Sequence, residues 1–309
     1  MKVAFVFPGQ GAQYAGMGRE IAKRFPGARA AFAEADTALD FPISRLCFEG
    51  PEEKLQLTEN TQPAILTMST AVFRVLEGKG LRPDFVAGHS LGEYSALVAA
   101  GAMKLGEAAG LVRKRGRYMQ EAVPVGEGAM AALVGLDLPV VQSICDRAAE
   151  GQIVTPANLN SPGQIVIAGN RGAVERAVEL AKEARARMAV LLKVSAPFHC
   201  ALLKPAEDRL SADLDRSAFA ELRYPLVTNV DAEVIRTALE ARSALKRQVS
   251  RPVRWHESIQ RLLDNGVRRF VEVGPGKVLL GLIRSIDKSV TMLNAGDEKS
   301  VENVLNALL

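Results

Sequence analysis

Short apolar runs that end in glycine-containing turns, each followed by residues at helical spacing, set the pattern of this chain. Val3-Ala-Phe-Val-Phe7 reads as a strand and Pro8-Gly-Gln-Gly-Ala-Gln13 as a turn, with a helix expected from there to about Phe25. Phe85-Val-Ala-Gly88 repeats the unit: a turn at His89-Ser90, then an alanine-rich helix from Leu91 to about Ala100 with Gly101 as its stop. Further strands are expected at Pro225 to Asn229 and at Arg269 to Val273, the second leading through Gly274-Pro-Gly276 into another helix. Strands alternating with helices predict an α/β fold whose mostly parallel sheet is covered on both faces.

Between Glu127 and Ser195 the order changes. Strand Ala129 to Leu136, helix Leu138 to Glu150, strands Ile153 to Ala157 and Gln164 to Ala168, helix Gly172 to Arg185 and strand Met188 to Val194 give β-α-β-β-α-β, the order of a ferredoxin-like unit. Gly126 and Gly128 at one edge and Pro197 at the other mark hinges. The expected division is a large α/β domain from residues 1–126 and 196–309, with a small ferredoxin-like subdomain, 127–195, inserted in it. A cleft between the two is the default ligand site.

Composition narrows the function more than the fold. A chain of 309 residues, 48% hydrophobic and 24% charged, can bury a full core. The first strand is too short, and too soon stopped by Pro8, for a signal peptide, and the richest apolar stretch, Leu191 to Leu203, is interrupted by Lys193, Pro197 and His199. No membrane association is expected. Cys47, Cys145 and Cys200 are odd in number and far apart, so neither a disulfide framework nor a zinc site is indicated and a reducing cytoplasm fits. The net charge of +4 is a mild excess, and aromatics are 5% of the chain, which argues against a nucleic-acid partner. A monomer with no metal or resident cofactor is expected.

Gly88-His-Ser-Leu-Gly92 fits G-x-S-x-G, a pattern that is common by accident but here lies between a strand and a helix. Glycines flanking the serine let the strand turn sharply and leave Ser90 at the positive end of the helix. A serine hydroxyl needs a base. Of three histidines, His89 adjoins Ser90 and should point away from it, and His256 beside Trp255 reads as surface or packing. His199, in Ser195-Ala-Pro-Phe-His-Cys200 where the chain returns from the insert, is the candidate by elimination. No acid falls in the usual place for a third member: Asp137 and Asp146 lie in the small subdomain and Asp231 follows His199. A carbonyl can hold the imidazole tautomer instead.

The segment from Leu105 to about Ala122 reads as a helix with Ala108, Leu111, Val112, Met119 and Ala122 on one stripe. At about 100° per residue, Arg115 falls at the centre of that stripe, whereas Arg113, Lys114 and Arg117 do not. A buried guanidinium costs several kcal/mol unless paired, so Arg115 meets either a protein carboxylate or a ligand carboxylate. In the second case the acyl group carried by Ser90 has a free acid at its far end.

Phe7-Pro-Gly-Gln-Gly-Ala-Gln13, Gln62-Pro-Ala64, Gly88-His-Ser-Leu-Gly-Glu93, Arg115 with Met119-Gln120, Asn160-Ser-Pro-Gly-Gln164, Phe198-His199, Pro252-Val-Arg-Trp255 and Glu272-Val-Gly-Pro-Gly-Lys277, in this order and nearly end to end, resemble the malonyl-CoA:acyl-carrier-protein transacylases. The resemblance implies a hydrolase-like α/β domain with an inserted ferredoxin-like subdomain. It implies Ser90 as nucleophile, His199 as base and Arg115 as clamp for the malonate carboxylate. Gln10 and the backbone N–H of Leu91 would form the oxyanion hole, and Gln248 would orient His199 through its main-chain carbonyl. The implied reaction is ping-pong transfer from malonyl-CoA to the phosphopantetheine thiol of acyl carrier protein, both thioesters being substrates rather than cofactors. Phe198 resembles the Phe of a Phe-His pair that related polyketide acyltransferase domains use in choosing malonyl over methylmalonyl; Pro197 stands where those domains usually have Ala, and Phe198 reads equally as core. Carrier proteins of this kind are acidic, and Arg113, Lys114, Arg117, Arg185, Arg187 and Lys193 are candidates to receive one. A serine esterase or thioesterase with the same Ser-His pair is the alternative, and a non-catalytic module of this fold is a second.

Overall fold

The computed structural model describes residues 1–309. Its strands are β1 (Lys2–Phe7), β2 (Phe85–Gly88), β3 (Gly128–Val134), β4 (Val154–Ser161), β5 (Gln164–Asn170), β6 (Met188–Leu191), β7 (Leu226–Val227), β8 (Val234–Ile235), β9 (Val267–Val273) and β10 (Thr291–Ala295). Six of them form one sheet in the order β10-β9-β1-β2-β7-β8, parallel except for the final β7–β8 pair. β1 lies inside this sheet and shows why it is covered on both sides. Val3, Phe5 and Phe7 enter the core on one face, while Ala4 and Val6 enter a second core on the other, with Trp255, Ile259 and Phe270.

Two expectations for this sheet are corrected. The first helix begins at Arg19, not after Gln13. Gly16 (φ 103°) and Gly18 (φ 81°) hold the intervening chain in left-handed turns that a helix cannot include. The strand expected over Pro225 to Asn229 pairs only at Leu226 and Val227, because Asn229 leaves the ladder to make hydrogen bonds beneath Ser90.

The other four strands form a separate sheet, β4-β5-β3-β6, with every neighbouring pair antiparallel. Helices Leu138–Ala149 and Arg171–Glu183 cover one face through Val141, Ile144, Val174 and Val178. The β-α-β-β-α-β order read from the sequence is therefore present, with strand limits shifted by a few residues. The two chain crossings into this sheet lie against each other, and a Cβ on Gly128 would fall 2.5 Å from the Pro197 ring. β4 is also fastened to the large sheet's side of the molecule: Leu159 N–H donates to the Val253 carbonyl (2.8 Å) and Val253 N–H to that of Ala157 (2.9 Å). No helix is long and apolar enough to cross a membrane, and all three cysteines are buried thiols.

Register decides what meets at the carboxyl ends of the strands, where open α/β sheets bind ligands. Phe7 pairs with Gly88, so the turn after β1 and the turn after β2 leave the sheet side by side. The second turn has no room for side chains: a Cβ on Gly88 would lie 1.9 Å from the Gly92 carbonyl carbon, and one on Gly92 would lie 2.0 Å from the Phe7 carbonyl oxygen. Both obstacles are backbone and cannot move aside. Gly92→Ala is expected to destabilise the protein by roughly 3 kcal/mol or more in denaturant titrations. Gly110→Ala, in an ordinary helical position with nothing within 4 Å of the new methyl, should stabilise by about 0.5–1 kcal/mol. Equal effects from the two substitutions would contradict this packing.

Candidate active site

Ser90 sits at the apex of the β2-to-helix turn with φ 53° and ψ −107°, a conformation that costs a residue with a side chain on the order of 1–3 kcal/mol. The surroundings hold it there. Ser90 N–H donates to Asn229 Oδ1 (2.7 Å), Asn229 Nδ2 donates to the Gly88 carbonyl (2.6 Å), and His89 N–H donates to the Phe7 carbonyl (3.0 Å). The helix Leu91–Ala99 follows directly, and the Leu91 N–H, first in that helix, has no acceptor within it.

His199 meets Ser90 across 109 residues of sequence. Ser90 Oγ lies 2.7 Å from His199 Nε2, and His199 Nδ1 lies 2.9 Å from the Gln248 carbonyl. A carbonyl only accepts, so Nδ1 carries the hydrogen, Nε2 presents its lone pair, and the serine hydroxyl donates to it. No carboxylate contacts this imidazole. Burial first, and the Arg115 charge second, push the His199 pKa down to about 3. The ring is a neutral hydrogen-bond acceptor at any ordinary pH.

The other histidines behave as read from the sequence. His89 points away from Ser90, with Nε2 2.9 Å from Asn160 Oδ1 and its ring tilted beside Trp255. His256 is half-buried at the start of helix Trp255–Asp264.

Arg115, on helix Leu105–Ala122, is only 1% exposed. Its guanidinium donates to Gln62 Oε1 (2.8 Å), Gln248 Oε1 (2.9 Å) and Ser90 Oγ (3.1 Å), and it faces the Tyr94 ring. None of these partners is a carboxylate, and Nε–H has no partner at all. Of the two pairings open to Arg115 from the sequence, an internal salt bridge is not what forms. The nearest carboxyl group is held one amide away: Gln248 turns Oε1 to Arg115 and Nε2 to Glu93 Oε2 (2.7 Å). Glu93, buried below the turn, also accepts from Asn229 N–H (3.1 Å).

Gln10, Ser90, Leu91, Arg115 and His199 line one cavity of about 150 Å³, walled further by Gln62, Met119, Met130, Leu192, Val194 and Phe198. Gln10 belongs to the turn after β1, with its amide Nε2 3.3 Å from Thr58 Oγ1. Phe198 faces the cavity and also packs on the large core. Ser90, His199, Arg115, Gln10 and Leu91, named from the sequence or the resemblance, thus come together at this cavity, and Gln248 joins them from behind its wall through Arg115 and His199. Asn229, Glu93 and Gln62 were not assigned roles. The last two stand inside quoted motifs, whereas nothing local marks Asn229. The cavity can hold an acyl group on Ser90, remove the hydroxyl proton at His199 and place a negative group against Arg115.

Glu93 supplies a pH test of this network. Burial, only partly offset by its bonds from Gln248 and Asn229 N–H and by the Arg115 charge, raises its pKa to about 7. Below about pH 4.5 the carboxyl is protonated in both folded and unfolded chains. Between 4.5 and 7 the unfolded chain releases the proton and the folded one keeps it, so Glu93's contribution to stability falls as pH rises and then levels off. Glu93→Gln keeps an acceptor oxygen but cannot titrate. The stability of wild type minus that of Glu93→Gln should fall by about 3 kcal/mol between pH 4.5 and 8 in denaturant titrations. A difference that rises with pH would mean that the Arg115 charge outweighs burial.

A family profile described as acyl transferase domain matches residues 4–304. The chain is 47% identical over 308 residues to the malonyl CoA-acyl carrier protein transacylase of Bacillus subtilis, covering 99% of this chain and 97% of that one. Among solved structures, the malonyl CoA-acyl carrier protein transacylase of Coxiella burnetii superposes with a TM-score of 0.97 at 45% identity, over 100% of this chain and 98% of the other. A malonyl-transacylase solved in complex with a type II PKS acyl-carrier protein also gives 0.97 at 45% identity, over 99% and 100%. The chain belongs to the acyl transferase domain family, among relatives that are malonyl CoA-acyl carrier protein transacylases.

Proposed function

We propose that this chain transfers malonyl from malonyl-CoA to the phosphopantetheine thiol of acyl carrier protein, through a malonyl ester on Ser90. The observation that carries the reading is the double engagement of Ser90 Oγ, which donates to His199 Nε2 and accepts from the Arg115 guanidinium. One contact removes the proton that makes serine a poor nucleophile. The other marks where the far end of the acyl group meets a positive charge that no protein carboxylate neutralises.

In the first half-reaction Ser90 Oγ attacks the thioester carbonyl while His199 Nε2 takes its proton. The tetrahedral oxyanion is received by the Leu91 N–H and the Gln10 amide, each donor being worth about 3 kcal/mol of barrier. The C–S bond then breaks, and His199 returns the proton to the departing CoA sulfur. The second half-reaction runs this in reverse with the carrier thiol as attacking group. The Gln248 carbonyl keeps the imidazole in the tautomer both halves use.

Arg115 links substrate choice to this proton transfer. Its charge lowers the proton affinity of His199, a smaller influence than burial but one a substrate can change. A malonyl carboxylate against the guanidinium offsets that charge and restores basicity to His199 while the reaction needs it. A monomer acting on soluble thioesters in the cytoplasm is part of this reading, in keeping with three reduced, buried cysteines.

Incubation with malonyl-CoA alone should add one malonyl group to the intact protein, located on Ser90 by peptide mapping and absent in Ser90→Ala. Subsequent addition of holo acyl carrier protein should discharge it as malonyl-carrier. Prompt release of free malonate with no adduct would make the chain a thioesterase.

A further inference from the structure

No step of the proposed transfer uses Glu93, yet this carboxyl is tied to Arg115 through one side chain. Gln248 Nε2 donates to Glu93 Oε2 (2.7 Å) and to the Ser90 carbonyl (3.1 Å). Both partners accept there, so the amide nitrogen belongs at that end and Oε1 is turned to Arg115 (2.9 Å). The other bond that Glu93 accepts, from Asn229 N–H (3.1 Å), also falls on Oε2. Oε1 of Glu93 is therefore left to carry a proton, and the carboxyl can gain or lose its charge with every one of these bonds intact. Glu93 and Arg115 are each 1% exposed and Gln248 is fully buried. Solvent screens so little at this depth that the charge on one is felt by the other.

The charged groups around Glu93 single out this pairing. Helix Leu105–Ala122 brings Arg115 to it. Asp231, in the turn between β7 and β8, opposes its ionisation, but is itself bound at 2.7 and 2.6 Å by Arg247 of helix Ala238–Gln248, whose charge also acts on Glu93. On its own helix, Tyr94 is neutral, its pKa pushed up to about 12 by burial. In the turn before that helix, His89 faces Asn160 and Trp255. The buried residues of helix Thr58–Gly78 include no titratable side chain, and β1 and β2 bury none.

We propose that Glu93 is a specificity-determining residue that acts through Arg115, its charge state setting how strongly the guanidinium favours an acyl group that ends in a carboxylate. Protonated, Glu93 leaves the Arg115 charge whole for that carboxylate. Ionised, it offsets part of the charge and repels the acyl anion, while an acyl group with no distal acid is indifferent. The linkage runs both ways: an anionic acyl group beside Arg115 raises the proton affinity of Glu93 by the same factor. Glu93 itself touches neither substrate nor reacting atoms. The inference rests on the malonyl transfer proposed above and adds to it a pH-dependent choice of acyl group.

The ratio of kcat/KM for Ser90 acylation by malonyl-CoA to that by acetyl-CoA, measured from pH 6 to 8.5 in wild type and in Glu93→Gln, tests this directly. The malonyl carboxylate is ionised throughout, His199 with a pKa of about 3 stays neutral, and effects common to both substrates cancel. Glu93, with a pKa of about 7, titrates within the range. The wild-type ratio should fall roughly 5- to 50-fold as the pH rises. In Glu93→Gln the amide oxygen can take both bonds and the amide nitrogen replaces the protonated oxygen, so its ratio should stay level near the wild-type value at pH 6. A wild-type ratio that is flat or rises with pH would overturn the proposal, and needs no variant to read. So would a Glu93→Gln ratio that falls with pH as wild type does. Intact mass after malonyl-CoA keeps the two levels apart. A malonyl-Ser90 adduct with a pH-independent ratio removes only the role of Glu93, whereas no adduct at any pH removes the transfer reaction and that role with it.

Discussion

Arg115 brings a full positive charge into the interior, and no protein carboxylate meets it. An unpaired buried charge costs several kcal/mol, so the fold around it is arranged to bear that cost without satisfying it completely. Gln62 and Gln248 supply neutral acceptors, Tyr94 supplies a ring face, and Glu93 stands one amide group away, with a pKa raised to about 7, so that it adds negative charge only as the pH passes that value. A carboxylate in direct contact would have bound the guanidinium fork and closed the site to an anionic acyl group. The intervening Gln248 leaves part of the fork free.

The same glutamine joins the substrate end of the cavity to its reacting end. Its side chain lies between Arg115 and Glu93, its main-chain carbonyl holds His199, and its amide nitrogen also reaches the Ser90 carbonyl at 3.1 Å. Asn229 does the corresponding work for the backbone of the turn. Ser90, His199 and Arg115 are therefore fixed by one connected set of hydrogen bonds, and a change in charge at Arg115 is felt at His199. This accounts for the absence of the acid that usually completes such a site. In the function proposed above, a negative charge arrives with the substrate.

Periodicity and turn chemistry made much of this legible before any coordinates. The inward face of Arg115 follows from helical spacing, the elbow at Ser90 from its two glycines between a strand and a helix, and the small subdomain from its strand order. Chain logic also pointed to His199, because the return from the insert has to cross the cleft. What stayed hidden was polar and long-range. Asn229 is 139 residues from the Ser90 N–H it holds, and Glu93 is 155 from Gln248; neither pairing has a period or a local signature. Glu272, conspicuous in a quoted motif, proves to accept the N–H groups of Leu279 and Leu280 at a helix start and stands apart from the cavity. The late start of the first helix was missed because glycines that permit a turn do not by themselves announce one.

The central claim is that Arg115 selects an acyl group by the carboxylate at its far end. It is tested most directly by the ratio of kcat/KM for Ser90 acylation by malonyl-CoA to that by acetyl-CoA, compared between wild type and Arg115→Ala. Both substrates report on the same folded fraction, so the ratio is insensitive to lost stability. Loss of two charge-assisted hydrogen bonds predicts that the ratio collapses on the order of 100-fold or more, through malonyl-CoA alone. An equal loss with both substrates would make Arg115 a structural residue and contradict the account.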